Sequence, residues 1–153
     1  MKTLICLITF TFLLTSCSRS HEVTQIGLMV GSQASGYDSI EVMGRISEGG
    51  SIGISGDDYG GEVVLFSDGK EVAKFDSGGH INILSSDLKK ISLKGESAVD
   101  LYLCVVLHVF EKWPDVYDGV LLEKRKIDAG MINVTLELES RINEGFDILS
   151  QGD

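Results

Sequence analysis

Basic residues are scarce in this chain: 13 Lys and Arg stand against 23 Asp and Glu, giving a formal net charge of -10 and a pI near 4.6. Phosphate repels such a surface and no basic stripe offsets the field, which argues against a nucleic-acid binder. Proline occurs once in 153 residues, so turns fall to the 18 glycines, most of them set between short apolar runs. That spacing points to many tight turns rather than a few long helices. Long hydrophobic runs are lacking too. The longest near the N-terminus, Leu4 to Leu14, has eleven residues, against roughly 20 for a helix that crosses a bilayer. No G-x-S-x-G, H-E-x-x-H, C-x-x-C or Walker loop is present, and no glycine motif opens a helix. The sequence therefore carries no supporting pattern for an enzyme, a cofactor or a metal centre, and none of the three is expected.

What is present at the N-terminus is specific. Lys2 precedes the apolar run, and small polar residues follow it, the layout of a secretory signal peptide. The segment ends in Leu14-Thr15-Ser16-Cys17, which resembles the lipobox of bacterial lipoproteins. The resemblance implies cleavage before Cys17, diacylglycerol on its sulfur and an acyl chain on its new amine. Several acyl chains on one residue anchor stably, so the partner implied first is the membrane, through the lipid on Cys17. Ser18 stands where the best-known inner-membrane retention signal has Asp. By that family rule the address is the outer membrane, facing the periplasm. Residues 1–16 read as signal peptide, 17–24 as lipidated cysteine and tether, and 25–150 as one domain.

Cysteine is as scarce as proline once this is granted. Cys6 leaves with the signal and Cys17 carries lipid, so Cys104 remains alone and no internal disulfide forms. The core must hold the domain by itself. About 137 mature residues suffice for that.

The mature chain reads as all-β: an antiparallel β-sandwich, or a small barrel, of about eight to ten strands. In Met131–Ser140, Ile132, Val134, Leu136 and Leu138 alternate with polar residues, which places them on one face of a strand. Ser97–Phe110 is apolar in both phases and predicts a central strand covered on both sides, with a buried helix as the alternative. Asp68-Gly69 between Glu62–Ser67 and Lys70–Phe75 predicts a hairpin with a type I′ turn. Further strands are expected at Gln25–Val30, Ser39–Ile46, Ser51–Ile54, His80–Leu84, Ile91–Lys94 and Val120–Lys126, and one helical turn at Ser86–Lys89.

Candidate chemistry is thin. Cys104 and His108 share a strand face but stand about 13 Å apart, too far for a nucleophile and its base. They read as a buried thiol and a hydrogen-bonded histidine. Asp57, Asp58 and Glu62 form one acidic turn, and Asp115 with Asp118 another; neither has the alternating ligand order of a helix-loop-helix calcium site. Trp113 and Tyr117 lie in the second of these loops, where aromatics anchor a partner or stack on a sugar, or plug the open end of the sandwich.

Ser55-Gly56-Asp57-Asp58-Tyr59 resembles the S-G-x-x-Y element of the bacterial membrane-bound lysozyme inhibitors, with Lys94-Gly95 in place of that family's later lysine-glycine pair. The separation is longer than the family's, and its disulfide is absent. Asp57, Asp58, Tyr59, Trp113 and Tyr117 are the candidate binding residues. The expected function is that of a non-enzymatic envelope lipoprotein whose sandwich binds an envelope protein or cell-wall glycan. The alternative is an acidic inhibitor or immunity protein against a basic enzyme such as lysozyme.

Overall fold

A computed structural model describes residues 23–46, 52–84, 88–110 and 119–151. Cys17, Trp113 and Tyr117 lie outside the described residues, as do the signal segment and Ser86 and Asp87 of the turn expected at Ser86–Lys89. Eleven strands are present in the described chain: β1 Val23–Gly31, β2 Gln33–Ser35, β3 Arg45–Ile46, β4 Gly53–Ser55, β5 Val63–Ser67, β6 Lys70–Phe75, β7 Gly79–Leu84, β8 Lys90–Ser97, β9 Leu101–Phe110, β10 Gly119–Ile127 and β11 Gly130–Glu137. One helix follows, α1 at Glu139–Ser150.

The strands pair antiparallel into a five-stranded sheet, β3-β10-β9-β1-β7, and a four-stranded sheet, β11-β8-β5-β6. Alternation supplies the core between them. Ile26, Leu28 and Val30 of β1 and Leu101, Leu103, Val105 and Leu107 of β9 meet Val63, Leu65, Ile91, Leu93, Ile132 and Leu136. Each such side chain contributes about 1.5–3 kcal/mol when fully buried. With no disulfide among the described residues, this apolar layer holds the two sheets together.

A third layer explains the two-phase apolar run. The β2–β4 ribbon and the segment before β3 cover the outer face of the larger sheet. There Tyr37, Ile40, Ile52 and Ile54 pack on Cys104, Val106, Leu121 and Ile46. β9 is thus a strand buried on both faces, as its composition predicts, and the helical alternative does not occur.

The Asp68-Gly69 hairpin forms with φ of 51° and 83° at its two central residues, both positive as a type I′ turn requires. Its tip is pinned sideways: the Asp68 carboxylate accepts the N–H groups of Lys89 at 3.1 Å and Lys90 at 2.9 Å.

Three expectations need correction. The strand expected from Ser97 begins only at Leu101, because β8 ends at Ser97 and the chain bends at residues 98–99, where the Ser97 hydroxyl accepts the Val99 N–H at 3.2 Å. Only Arg45 and Ile46 of the strand expected at Ser39–Ile46 are extended. Turns precede them, and Met43 sits at φ 65°, which breaks the extended run; its N–H donates to the Leu121 carbonyl at 2.6 Å. The strand expected through Ser140 ends at Glu137, and the unforeseen helix α1 begins at Glu139. Its Ile142 and Gly145 face the core. A Cβ on Gly145 would lie 2.8 Å from Leu107 Cδ2 and 3.1 Å from Leu122 Cδ2, so the bare glycine lets the helix approach β9 and β10 closely. Arg141 fastens it there, donating to the Leu122 carbonyl at 3.0 Å and pairing with the buried carboxylate of Glu123 at the β10 bulge.

Candidate binding surface

Strand direction sorts the loops between two ends. β1, β6, β8 and β10 finish, and β5, β7, β9 and β11 begin, at one end, as the registers Val30↔Gly79, Val63↔Phe75, Gly31↔Tyr102, Ile127↔Leu101 and Gly130↔Ser97 require. The opposite end holds the start of β1, where Val23 faces Phe110, and the Asp68-Gly69 hairpin.

Four connections meet at the first end. Tyr59 N–H donates to the Asp76 carbonyl at 2.8 Å, Ala98 N–H to the Tyr59 carbonyl at 2.7 Å, and Gly78 N–H to the Gly56 carbonyl at 3.1 Å. Asp100 accepts from Ala129 N–H at 2.9 Å. These bonds tie loops from distant parts of the chain into one surface. It exposes Asp57, Asp58, Asp76, Asp100 and Asp128, with Glu62 and Glu96 beside them. Lys126 answers one of them, 3.6 Å from Asp100. Asp57 and Asp58 therefore belong to a larger acidic end than their own loop. Asp58 also accepts from Gly60 N–H at 2.8 Å, so the carboxylate shapes its own turn.

Tyr59 is read from the sequence as a binding residue, but the structure places it in the core at 0% exposure. Its hydroxyl donates to the Val30 carbonyl at 2.8 Å, joining the acidic loop to the end of β1. The ring supports the surface and offers no face to a partner.

The outer face of the smaller sheet carries a groove of about 530 Å³ lined by Glu62, Val64, Lys94, Gly95, Glu96, Met131, Ile132 and Asn133. Met131 is 86% exposed. Lys94 leans over the Phe66 ring, 5.6 Å from its centroid. Gly95 lets the β5 and β8 backbones close together at the groove, at φ 148°.

Cys104 and His108 take the bland roles expected of them. Both point to the covered face of the larger sheet; Cys104 is fully buried, and His108 Nε2 lies 3.4 Å from Asn82 Oδ1. Burial raises the Cys104 thiol pKa to about 11, with Lys124 opposing, and lowers that of His108. Burial, then the nearby Asp76, pushes Tyr59 up to about 12. Among the described residues no group of three or more His, Cys, Asp or Glu is placed to hold a metal ion. No helix among them is long and apolar enough to cross a membrane.

The raised values set an alkaline limit. In the folded state Cys104 and Tyr59 keep their protons above the ordinary 9.0 and 10.0, so their contribution is full below pH 9 and is lost as pH rises through about 11 and 12. Denaturant midpoints are expected to fall from pH 9 to 11, and Cys104→Ala to flatten the earlier part of that fall. An unchanged pH profile in the variant would contradict a buried, protonated thiol.

Comparison with protein-family models, with curated proteins and with solved structures finds no match. The class of molecule is therefore given by its own architecture, an all-β sandwich with a covered sheet, one acidic end and one open edge groove. The Asp57-Asp58 turn is legible in the sequence, but its union with Asp76, Asp100 and Asp128 is not. Only their shared position, one residue or two beyond a strand boundary, hints at it.

Proposed function

We propose that this chain is a non-enzymatic, lipid-anchored protein of the bacterial cell envelope that docks a basic protein partner on its acidic end. The convergence of Asp57, Asp58, Asp76, Asp100 and Asp128 from four connections carries this reading. Like charges held together raise the local potential, steer a cationic partner into encounter and repel acidic competitors. The lipobox at Leu14–Cys17 supports the anchor, and Val23, where β1 starts, lies at the end opposite the acidic one. A tether at that end leaves the acidic surface directed away from the membrane. A basic envelope protein and a basic enzyme such as lysozyme both suit it, and an uncharged glycan suits it less.

The test is a capture from intact envelopes, followed by association kinetics with the captured protein and with lysozyme as the basic probe. Neutralising Asp57, Asp58, Asp100 and Asp128 to Asn is expected to slow association by roughly tenfold or more at low salt. Raising salt is expected to produce the same slowing in the unmodified protein as the screening length contracts from about 10 Å at 0.1 M. Melting temperature is expected to move little, because Asn keeps the acceptor oxygens that Asp58 and Asp100 offer to Gly60 and Ala129, and the exposed charges themselves contribute little to folding. Capture of a partner whose association ignores both salt and the four substitutions would overturn the acidic-end reading.

A further inference from the structure

Two features of the smaller sheet are unexplained by folding, and they lie side by side. The first is a like-charge pair. Glu96 N–H donates to the Glu62 carbonyl at 3.1 Å, so the two residues are neighbours across the β5–β8 contact. Both side chains are exposed, and neither lies within ion-pair distance of a described cation. Like charges placed directly across a sheet are destabilising. The second is Met131, opposite Glu96 in the β8–β11 register and 86% exposed.

The edge itself is unguarded. β11 pairs with β8 along all eight residues without a bulge, and no described strand pairs with its other side. Natural sheets blunt such edges with lysines, bulges or very short strands. The other edges follow that rule in part: β6 has a bulge with Lys70 and Lys74, β3 has two residues, and the free half of β10 carries Lys124, Arg125 and Lys126 after its bulge. β7 is shorter, at six residues. Along β11 the outward residues Met131, Asn133 and Thr135 are uncharged, and only the last outward residue, Glu137, carries a charge, in a chain of net charge -10.

We infer that β11 accepts an extended segment of a partner protein as a fifth strand of the smaller sheet, with a lysine or arginine of that segment lying over Met131 toward Glu96 and Glu62. Main-chain hydrogen bonds to the free edge supply the affinity, and alternate side chains read the groove. The reach fits. A strand added to β11 lies two strand spacings, about 10 Å, from β8, which a lysine or arginine spans together with a glutamate side chain. The aliphatic stem packs on Met131, the β11 residue beneath it, while the charge meets Glu96 and so relieves the Glu62–Glu96 pair. A second copy fits less well. Antiparallel pairing of two β11 strands turns the copies end for end, so that two tethers at the start of β1 point in opposite directions. The inference rests on the proposed basic partner and adds how part of it binds.

The probe is a blocked octapeptide alternating threonine and valine with one central lysine, added to the full-length protein in detergent and followed by amide NMR. Exchange protection is expected along Met131–Glu137, with at least tenfold weaker binding when glutamate replaces the peptide's lysine. N-methylation of the peptide backbone is expected to abolish binding. Glu96→Gln with Glu62→Gln is expected to erase the lysine–glutamate preference while strand binding persists. Absence of protection at millimolar peptide would overturn the inference, as would protection elsewhere or self-association through β11 in sedimentation. Peptide binding is expected to survive neutralisation of Asp57, Asp58, Asp100 and Asp128. Failure of the peptide with salt-steered partner capture intact would remove strand addition alone.

Discussion

Replacing Gly95 with alanine is expected to destabilise the domain by at least about 3 kcal/mol, lowering its melting temperature by roughly 10 °C. Two costs add. Gly95 has φ 148°, a conformation side chains rarely adopt, and a Cβ there would lie 2.0 Å from the Glu62 carbonyl oxygen and 3.1 Å from Val63 Cα. Those are backbone atoms of the paired strand, so relief requires moving β5 away from β8 and opening the core over Val63 and Leu65. Gly69 makes the control. It also has positive φ, at 83°, but nothing lies within 4 Å of its Cβ position. Gly69→Ala is therefore expected to cost only about 1 kcal/mol, from backbone strain alone. Thermal melts of the two variants decide the matter: equal losses would mean that the β5–β8 approach is not as close as described. The same contact gives the Lys94-Gly95 pair a structural reason for its glycine, independent of any resemblance to an inhibitor family.

How much of this was legible from the residues depended on the range of the contacts involved. Asp68-Gly69 is a local signal, because a two-residue turn with positive φ has few solutions, and the hairpin formed where expected. The double burial of β9 was legible because both phases of its side chains are apolar. Helix α1 was hidden by its own boundary. Leu138 and Glu139 prolong the alternation of β11, and Leu138 at the cap position makes no side-chain capping bond. The helix is held by tertiary contacts instead, at Gly145 and through Arg141 to Glu123. Arg141 and Glu123 are 18 residues apart, beyond any local pattern. The acidic surface is of the same kind: Asp57 and Asp58 were legible as a turn, but Asp100 lay inside the strand expected at Ser97–Phe110, and strand direction alone brings the carboxylates to one end. Tyr59 shows the reverse error, an aromatic in a loop sequence whose ring folds inward to bond Val30.

On the proposed lipid anchor, replacing Cys17 with serine is expected to abolish lipidation altogether. In that proposal the Cys17 sulfur, as thiolate, is the nucleophile that takes diacylglycerol, and a serine hydroxyl at the same place is far less nucleophilic at neutral pH. Membrane-extracted wild-type protein is expected to begin at Cys17 and carry acyl adducts in mass spectrometry. The Cys17→Ser protein is expected to carry none, and either to keep residues 1–16 or to leave the membrane fraction. The distance from lipid to fold sharpens this. Six residue steps from Cys17 to Val23 reach about 20 Å when fully extended, so a lipid on Cys17 would keep the end at which β1 begins near the bilayer. A Gly-Ser insertion between Ser20 and His21 would lengthen the tether without touching the lipobox, and is expected to leave lipidation and fractionation unchanged. Partner capture that falls with Cys17→Ser but survives the insertion would place the partner within reach of the membrane surface and tie binding to the anchor. Unchanged fractionation of a Cys17→Ser protein that has lost residues 1–16 would mean that the domain holds to the envelope by another route, and the lipid assignment would fall.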